Sequence, residues 1–325
     1  MTRIGYHASH EQFAPSELVR YVTAAEQAGF DCAKSSDHFH PWSERQGQSG
    51  FAWSWLGAAM SATRFGHGII SAPGYRYHPA VLAQAAATIG EMFPGRLWLA
   101  LGSGEAINEA ITGMAWPEKP ERNARLKECV DIVRALLAGE TVTHRGRVTV
   151  IEAKLYSRPS QPIPLFGAAV TEATARFVGG WADGLLTPGG DIETVREVVA
   201  AFREAGGEGK PVHIQHALSW APTEDGALAA ALDQWSAVVI GGDAAWDLRR
   251  PRDFDQAARL VSGDDIRESV AVSADPGRHA GWLADLAELA PAAIHLHCVG
   301  RNQNEFIAMF GARVLPQLQA RPDAG

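Results

Sequence analysis

The sequence predicts an α/β fold, a (β/α)8 barrel with insertions, on three observations. Strand-like and helix-like periodicities alternate from one end of the chain to the other. Eight such pairs fit into 325 residues, which suits one barrel carrying extra segments. No dinucleotide fingerprint follows the first strand, where the chain reads Ala8-Ser9-His10-Glu11-Gln12, and this counts against an open doubly wound sheet. The later fragment Gly102-Ser103-Gly104 lacks the third glycine of that motif.

The elements follow in order. Arg3 to His7 is a first strand. Pro15 opens a helix in which Leu18, Tyr21, Val22 and Ala25 share one face, and Gly29 ends it. Phe30 to Ser35 is the second strand, and a helix from about Trp53 to Thr63 leads to the third, His67 to Ser71. His78 to Met92 is helical, with Pro79 tolerated in the first turn. Pro94-Gly95 turns into strand four, Arg96 to Leu101, and helices follow from Glu105 and from Lys119 to Leu137. Thr141 to Ile151 breaks the rhythm and reads as a hairpin around Arg145-Gly146. Strands resume at Leu165 to Ala168, Asp183 to Thr187 and Val212 to Ser219, with helices over Thr171 to Trp181 and Ile192 to Glu204. Residues 223–273 are mainly helical and polar and read as an insertion. A helix over Arg278 to Leu289, the last strand Ala293 to His297 and a closing helix, Glu305 to Leu315, complete the barrel. One domain over residues 1–325 is expected, with no boundary at Gly206 to Lys210.

Composition narrows the function. Hydrophobic residues make up 46% and charged residues 20%, so a sizeable core is possible and disorder is not expected. A net charge of −8 disfavours nucleic acid and an anionic membrane as partners. No apolar run approaches the ~20 residues of a membrane helix, and Met1 to Gly5 reads as a strand rather than a leader. Three widely spaced cysteines, Cys32, Cys129 and Cys298, suit a reducing cytoplasm rather than a disulfide framework. His295 and His297 share one strand face, but no second pair with zinc spacing completes a closed site. No metal is expected, and both are read as interior residues, near substrate in the case of His297.

Chemistry concentrates at two strand-to-loop junctions. Ser36-Asp37-His38-Phe39-His40-Pro41-Trp42 follows the second strand, and Gly102-Ser103-Gly104-Glu105 follows the fourth. A rigid strand fixes such residues while the loop leaves them reachable, so both belong on one rim of a barrel. An imidazole ordinarily titrates near neutral pH, so His38 suits a base, and Glu105 can either act as an acid or favour a helix start by its charge.

With these motifs in view, the chain resembles the luciferase-like flavin oxidoreductase superfamily, and most closely its deazaflavin (coenzyme F420)-dependent glucose-6-phosphate dehydrogenases. The shared stretches are Glu11-Gln12-Phe13-Ala14-Pro15, Ser36-Asp37-His38-Phe39, Pro41-Trp42, Arg76-Tyr77, Pro79-Ala80, Gly102, Gly104-Glu105-Ala106 and Asn108-Glu109. The resemblance implies a flavin ring across the C-terminal mouth of a barrel. It implies His38 as the base toward a substrate hydroxyl, Trp42 as stabiliser of the intermediate, and Glu105 as proton donor to the reduced cofactor. It places cofactor contacts at Asp37, Ile69, Ile70, Gly102, Ser103, Gly104, Asn108, Val170 and Thr171, with a cis peptide between Ile69 and Ile70. Glu11, His40 and His297 are the candidate substrate contacts.

Two departures bear on ligand choice. Gly190, Gln256 and Ser269 stand where the family grips a sugar phosphate with cations, which argues against glucose 6-phosphate. Val170-Thr171 replaces a Gly-Gly pair ahead of a helix that holds the cofactor phosphate. Strings such as Ile4 to Glu11 and Trp42 to Gly50 are similar to a branch of the family suspected to use FMN. FMN is therefore the expected cofactor and coenzyme F420 the alternative. Hydride transfer is the expected reaction. A two-component monooxygenase fed by a separate flavin reductase, and a non-catalytic flavin-binding protein, are the other readings. A small-molecule substrate, a homodimer and a cytoplasmic location complete the expectations.

Overall fold

Eight parallel strands close on themselves in the computed structural model, which describes residues 2–240 and 243–319. In chain order the strands are β1 (Arg3–Ala8), β2 (Cys32–Ser35), β3 (Gly66–Ser71), β4 (Leu97–Leu101), the hairpin pair β5 (Val142–Arg145) and β6 (Thr149–Ala153), then β7 (Leu165–Ala168), β8 (Gly184–Pro188), β9 (Val212–Ser219), β10 (Ala271–Val272) and β11 (Ala293–Cys298). The barrel runs β1-β2-β3-β4-β7-β8-β9-β11 and returns to β1, where Arg3 pairs with Ala293 and Tyr6 with Leu296. This is the (β/α)8 architecture that the alternation predicts, with every barrel strand within two residues of its expected limits.

Helices cover the outside: α1 (Pro15–Gln27), α2 (Ala52–Ala62), α3 (Pro79–Met92), α4 (Ala106–Glu109), α5 (Lys119–Ala138), α6 (Glu172–Gly179), α7 (Ile192–Phe202), α8 (Glu224–Trp235), α9 (Pro251–Ala257), α10 (Gly263–Ser269), α11 (Pro276–Ala287), α12 (Gln303–Met309) and α13 (Leu315–Gln319). Their apolar faces meet the outward residues of the strands, as when Leu18, Val22 and Ala25 of α1 bury in the main core. α8, α9, α10 and β10 lie between β9 and α11.

Three local expectations are corrected. The helix expected from Glu105 is a single turn, α4, followed by a 3₁₀ turn that stops at Gly113, whose φ of +73° is left-handed. β10 went unpredicted because two residues carry no periodicity; it pairs with β9 at Leu218 and Ser219, beyond the point where β8 stops at Gln215. No cis peptide occurs among the described residues, so the Ile69–Ile70 bond is trans. Both isoleucines sit in regular parallel register with β4, opposite Leu99 and Ala100, and nothing there forces the ~3–4 kcal/mol cost of a cis form.

The lumen is split by chemistry. Barrel interiors are usually filled by branched aliphatic side chains. Here β3, β4, β7 and β8 supply Ile70, Trp98, Ala100, Phe166 and Leu186 as an apolar half. Gly68 makes room for Trp98, since a Cβ at that position would lie 2.0 Å from the indole ring. The other half, from β1, β2, β9 and β11, is polar: His7, Lys34, His213, His295 and His297 are all buried.

The buried imidazoles make stability depend on pH. Burial lowers His10 and His216 to about 4 and His67, His213 and His297 to about 3. In the unfolded chain these rings titrate near 6.5, so below that pH the unfolded state binds protons that the folded state refuses. Stability is full above about 6.5 and is lost as pH falls toward the folded-state values, by about 1.4 kcal/mol per pH unit for each such ring. His216 is buried, with no hydrogen-bond partner for either ring nitrogen among the described residues. His216→Phe is expected to reduce the slope of unfolding free energy against pH by about one proton between roughly pH 6 and 4.5. Urea unfolding at a series of pH values measures it; an unchanged slope would show that His216 is not held neutral.

Candidate active site

The C-terminal ends of β1, β2 and β4 bring three sequence segments to one point. β1 ends at Ala8 and delivers Ser9 to Gln12, β2 ends at Ser35 and delivers Ser36 to Trp42, and β4 ends at Leu101 and delivers Gly102 to Glu105. The barrel register aligns Ala8 with Ser35, so Glu11 and His38 emerge side by side. Nε2 of His38 lies 3.3 Å from Oε1 of Glu11 and 3.8 Å from Oε2 of Glu105. Trp42 packs beside the imidazole, with ring centroids 5.0 Å apart.

The two carboxylates are not equivalent. Glu11 is buried, which by itself would raise its pKa. His38 and the Ser36 hydroxyl outweigh burial and hold it at about 2. Its Oε2 accepts from Ser36 Oγ at 2.7 Å and from Ser9 Oγ at 2.9 Å. Glu105 has fewer donors, and burial raises it, opposed by His38 and reinforced by Glu11. Environments that push two carboxyls apart assign one as a fixed anion and the other as an acid.

Asn108 decides the tautomer of His38. Its Oδ1 accepts from the Phe39 N–H at 2.9 Å, which turns the amide NH2 toward Nδ1 of His38 at 3.2 Å and Oε2 of Glu105 at 3.2 Å. Nδ1 is therefore an acceptor, and the ring proton sits on Nε2, facing the carboxylates. α4 exists to place this amide: its single turn is buried throughout and follows Gly104, whose φ of +82° admits only glycine without strain.

Residues 1–292 match the family profile described as luciferase-like monooxygenase. The chain belongs to this family. It is similar to the F420-dependent glucose-6-phosphate dehydrogenase of Microbacterium testaceum, at 35% identity over 331 residues and 98% of each chain. The protein of the same description from Mycobacterium tuberculosis is 33% identical over 333 residues, again covering 98% of each. Among solved structures, an F420-dependent secondary alcohol dehydrogenase in complex with an F420–acetone adduct superposes with a TM-score of 0.90 at 30% identity, covering 98% of this chain and 99% of that one.

In this luciferase-like chain the residues expected from the sequence separate into groups. His38, Trp42, Glu105, Glu11 and Asn108 converge, as given above. Gly102, Ser103 and Gly104 line the β4 rim beside them, with Ser103 Oγ accepting from Lys119 at 2.8 Å. Asp37 does not turn its carboxylate to the mouth: it is buried and bound by Ser71, by Tyr77 OH at 2.9 Å and by Arg76 at 3.3 Å. Ile69 points outward into the main core, while Ile70 faces the lumen. Val170 is half-exposed after β7, and Thr171 caps α6, its hydroxyl accepting from Thr174 N. His40 is tied by Nδ1 to the Ile107 carbonyl at 2.7 Å. His297 lies inside the barrel, bonded to Gln12 at 3.1 Å, rather than against His38.

Sequence reasoning missed Ser9 and Ser36 as the donors that hold Glu11, and Phe254, which packs on Trp42 at 5.3 Å. Ser36 lies inside the motif and its strand end was a usable signal. Phe254 had none, because it arrives on α9 from 212 positions away in the chain. The tautomer argument has a direct test. Asn108→Asp places a second acceptor on Nδ1 and should charge the ring, raising the His38 pKa by about 1–3 units in a nitrogen NMR titration. An unmoved titration would show that Asn108 does not set the protonation of His38.

Proposed function

We propose that this chain is an oxidoreductase that exchanges a hydride between a small, uncharged secondary alcohol or ketone and a deazaflavin of the coenzyme F420 type. The observation that carries the reading is the His38 imidazole held at the barrel mouth, its Nδ1 facing the Asn108 amide and its Nε2 set between Glu11 and Glu105. Deazaflavin is favoured because the full-length relatives given above are F420-dependent by name.

The residues fit such a cofactor. Gly104 brings the β4 rim close against its neighbours, since a Cβ there would meet Glu109 at 2.9 Å. The start of α6, with Thr171 as its cap, offers backbone N–H groups to a phosphate. Val170 is half-exposed. Lys119 and Arg76 add positive charge nearby, although Arg76 is committed to Asp37 and Glu109.

A deazaflavin, when bound, gives or takes the hydride. Everything else falls to the chain. In the reducing direction, the Nε2–H of His38 holds the carbonyl oxygen and polarises it, a role that suits neutral imidazole. Glu105 supplies the proton that completes the hydroxyl. Glu11 fixes the ring and compensates any positive charge that develops on it. The role of base expected for His38 needs a lone pair on Nε2, and the Asn108 contact favours the proton there instead.

The substrate side is apolar. Trp42 joins a cluster with Ile107, Ala237, Phe254 and Ala258. Such a wall rewards hydrocarbon and penalises an unpaired phosphate. Gly190 and Ser269 border a cavity of about 410 Å³ where Arg267 and Arg278 are matched by Asp191, Glu268 and Asp285, so the place of the family's phosphate grip carries no net positive charge.

Titration of the cofactor-free protein with F420 and FMN, followed by turnover on propan-2-ol with acetone and on glucose 6-phosphate, tests the reading. F420 should bind at least about tenfold more tightly than FMN, and the alcohol should be the better substrate. Tighter FMN binding, or preference for the sugar phosphate, would overturn it.

A further inference from the structure

Two charged residues of the shared stretches, Arg76 and Glu109, take no part in the reaction above, yet both are buried beside it. Arg76 lies on the loop after β3. That loop is a tight turn, closed by a hydrogen bond of 2.8 Å from the Gly74 N–H to the Tyr77 carbonyl, with Gly74 at a left-handed φ of +109°. The side chain of Arg76 is 8% exposed, that of Asp37 0% and that of Glu109 1%. Three charged groups buried together carry a desolvation cost that only close pairing offsets.

The pairing reaches two separate segments of the site. Nη2 of Arg76 donates to the Asp37 carbonyl at 2.6 Å, and Nη1 lies 3.3 Å from Oδ1 of the same residue. The Asp37 carboxylate also accepts from Tyr77 OH at 2.9 Å and from the Ser71 hydroxyl, so the end of β3 and its turn hold it on several sides. In the other direction, the Arg76 backbone N–H donates to Oε2 of Glu109 at 2.8 Å, and Nε lies 3.7 Å from Oε1. Asp37 immediately precedes His38, and Glu109 immediately follows Asn108. Between these two pairs lie the contacts that define the site: the Asn108 amide to Nδ1 of His38 at 3.2 Å, and the Phe39 N–H to Asn108 Oδ1 at 2.9 Å. β3 separates β2 from β4 in the barrel, so no ladder hydrogen bond ties the β2 junction to the β4 junction. The turn after β3 lies between them in strand order, and Arg76 touches both.

We propose that Arg76 is a positioning residue for His38, a buried clamp that grips the backbone before His38 and the carboxylate after Asn108 and so holds these two side chains in contact. The inference rests on the reading of His38 as the group that holds the substrate oxygen. Arginine suits the task because its planar fork presents several donors in fixed directions, whereas a lysine ammonium is a single point charge on a flexible stem.

The test is amide hydrogen exchange at Phe39 in the cofactor-free protein, with the split of kcat against KM as a second readout. Arg76→Lys keeps one positive charge but loses the fork that meets the Asp37 carbonyl and carboxylate together. The Phe39 amide should then exchange at least about tenfold faster, because its contact with Asn108 opens locally. The Leu99 amide, bonded in the barrel wall to the Pro164 carbonyl at 3.0 Å, should keep its rate. On propan-2-ol with F420, kcat should fall at least about tenfold while KM changes less than about twofold. If Arg76→Lys does not fold, Glu109→Leu, which releases the other side of the clamp, should free the Phe39 amide in the same selective way. An unmoved Phe39 would overturn the proposal, and so would equal acceleration of Phe39 and Leu99, which marks a general loss of stability. Because exchange needs neither cofactor nor substrate, a selectively freed Phe39 in a protein with no turnover on the alcohol would sink the reaction while leaving the clamp. Turnover as proposed above, with Phe39 and kcat unmoved in the variant, would do the reverse.

Discussion

Closure of β1 onto β11 is the constraint on which the rest depends. A parallel strand pair at that seam completes the ring and removes the last open edge of the sheet. It also sets His297 of β11 against His7 of β1 and lets Gln12 reach both Val299 and His297. Gln12 is the neighbour of Glu11. The seam that closes the barrel therefore also anchors the loop that carries the ionised carboxylate of the site.

A dry lumen makes charge expensive, and this chain spends polar groups there in a definite pattern. Apolar side chains fill the half under β3, β4, β7 and β8, and imidazoles with one lysine fill the half under β1, β2, β9 and β11. Each ring nitrogen that is bonded has one assigned role, and the network carries a single cation.

At the mouth, selectivity between two similar carboxylates comes from their neighbours. Ser9, Ser36 and His38 stabilise the anion of Glu11, whereas Glu105 shares one amide hydrogen with Asn108 and meets the field of Glu11. The same geometry appears on a fold used for many reactions, so the fold alone does not choose among them. In the proposed reaction that choice is assigned to the Asn108 contact of His38 and to the apolar wall of Trp42, Ile107 and Phe254.

The strands, their order and the two motif-bearing junctions were legible in the linear sequence, because period-two runs ending in Ser-Asp-His-Phe or Gly-Ser-Gly-Glu report local preference. His38 and Glu105 were named from those junctions, whereas the roles of Trp42 and Glu11 came from the family resemblance. β10 could not, since two residues have no period, and neither could the length of α4, which ends where Gly113 turns left-handed. The direction of Asp37, the burial of Lys34 on His7 and the arrival of Phe254 beside Trp42 were decided only by tertiary structure. Those facts depend on which distant strands and helices become neighbours when the barrel closes, and on which side chains then lose water together. A sequence states that a lysine is present in a strand; only the closed barrel determines that it is buried against an imidazole.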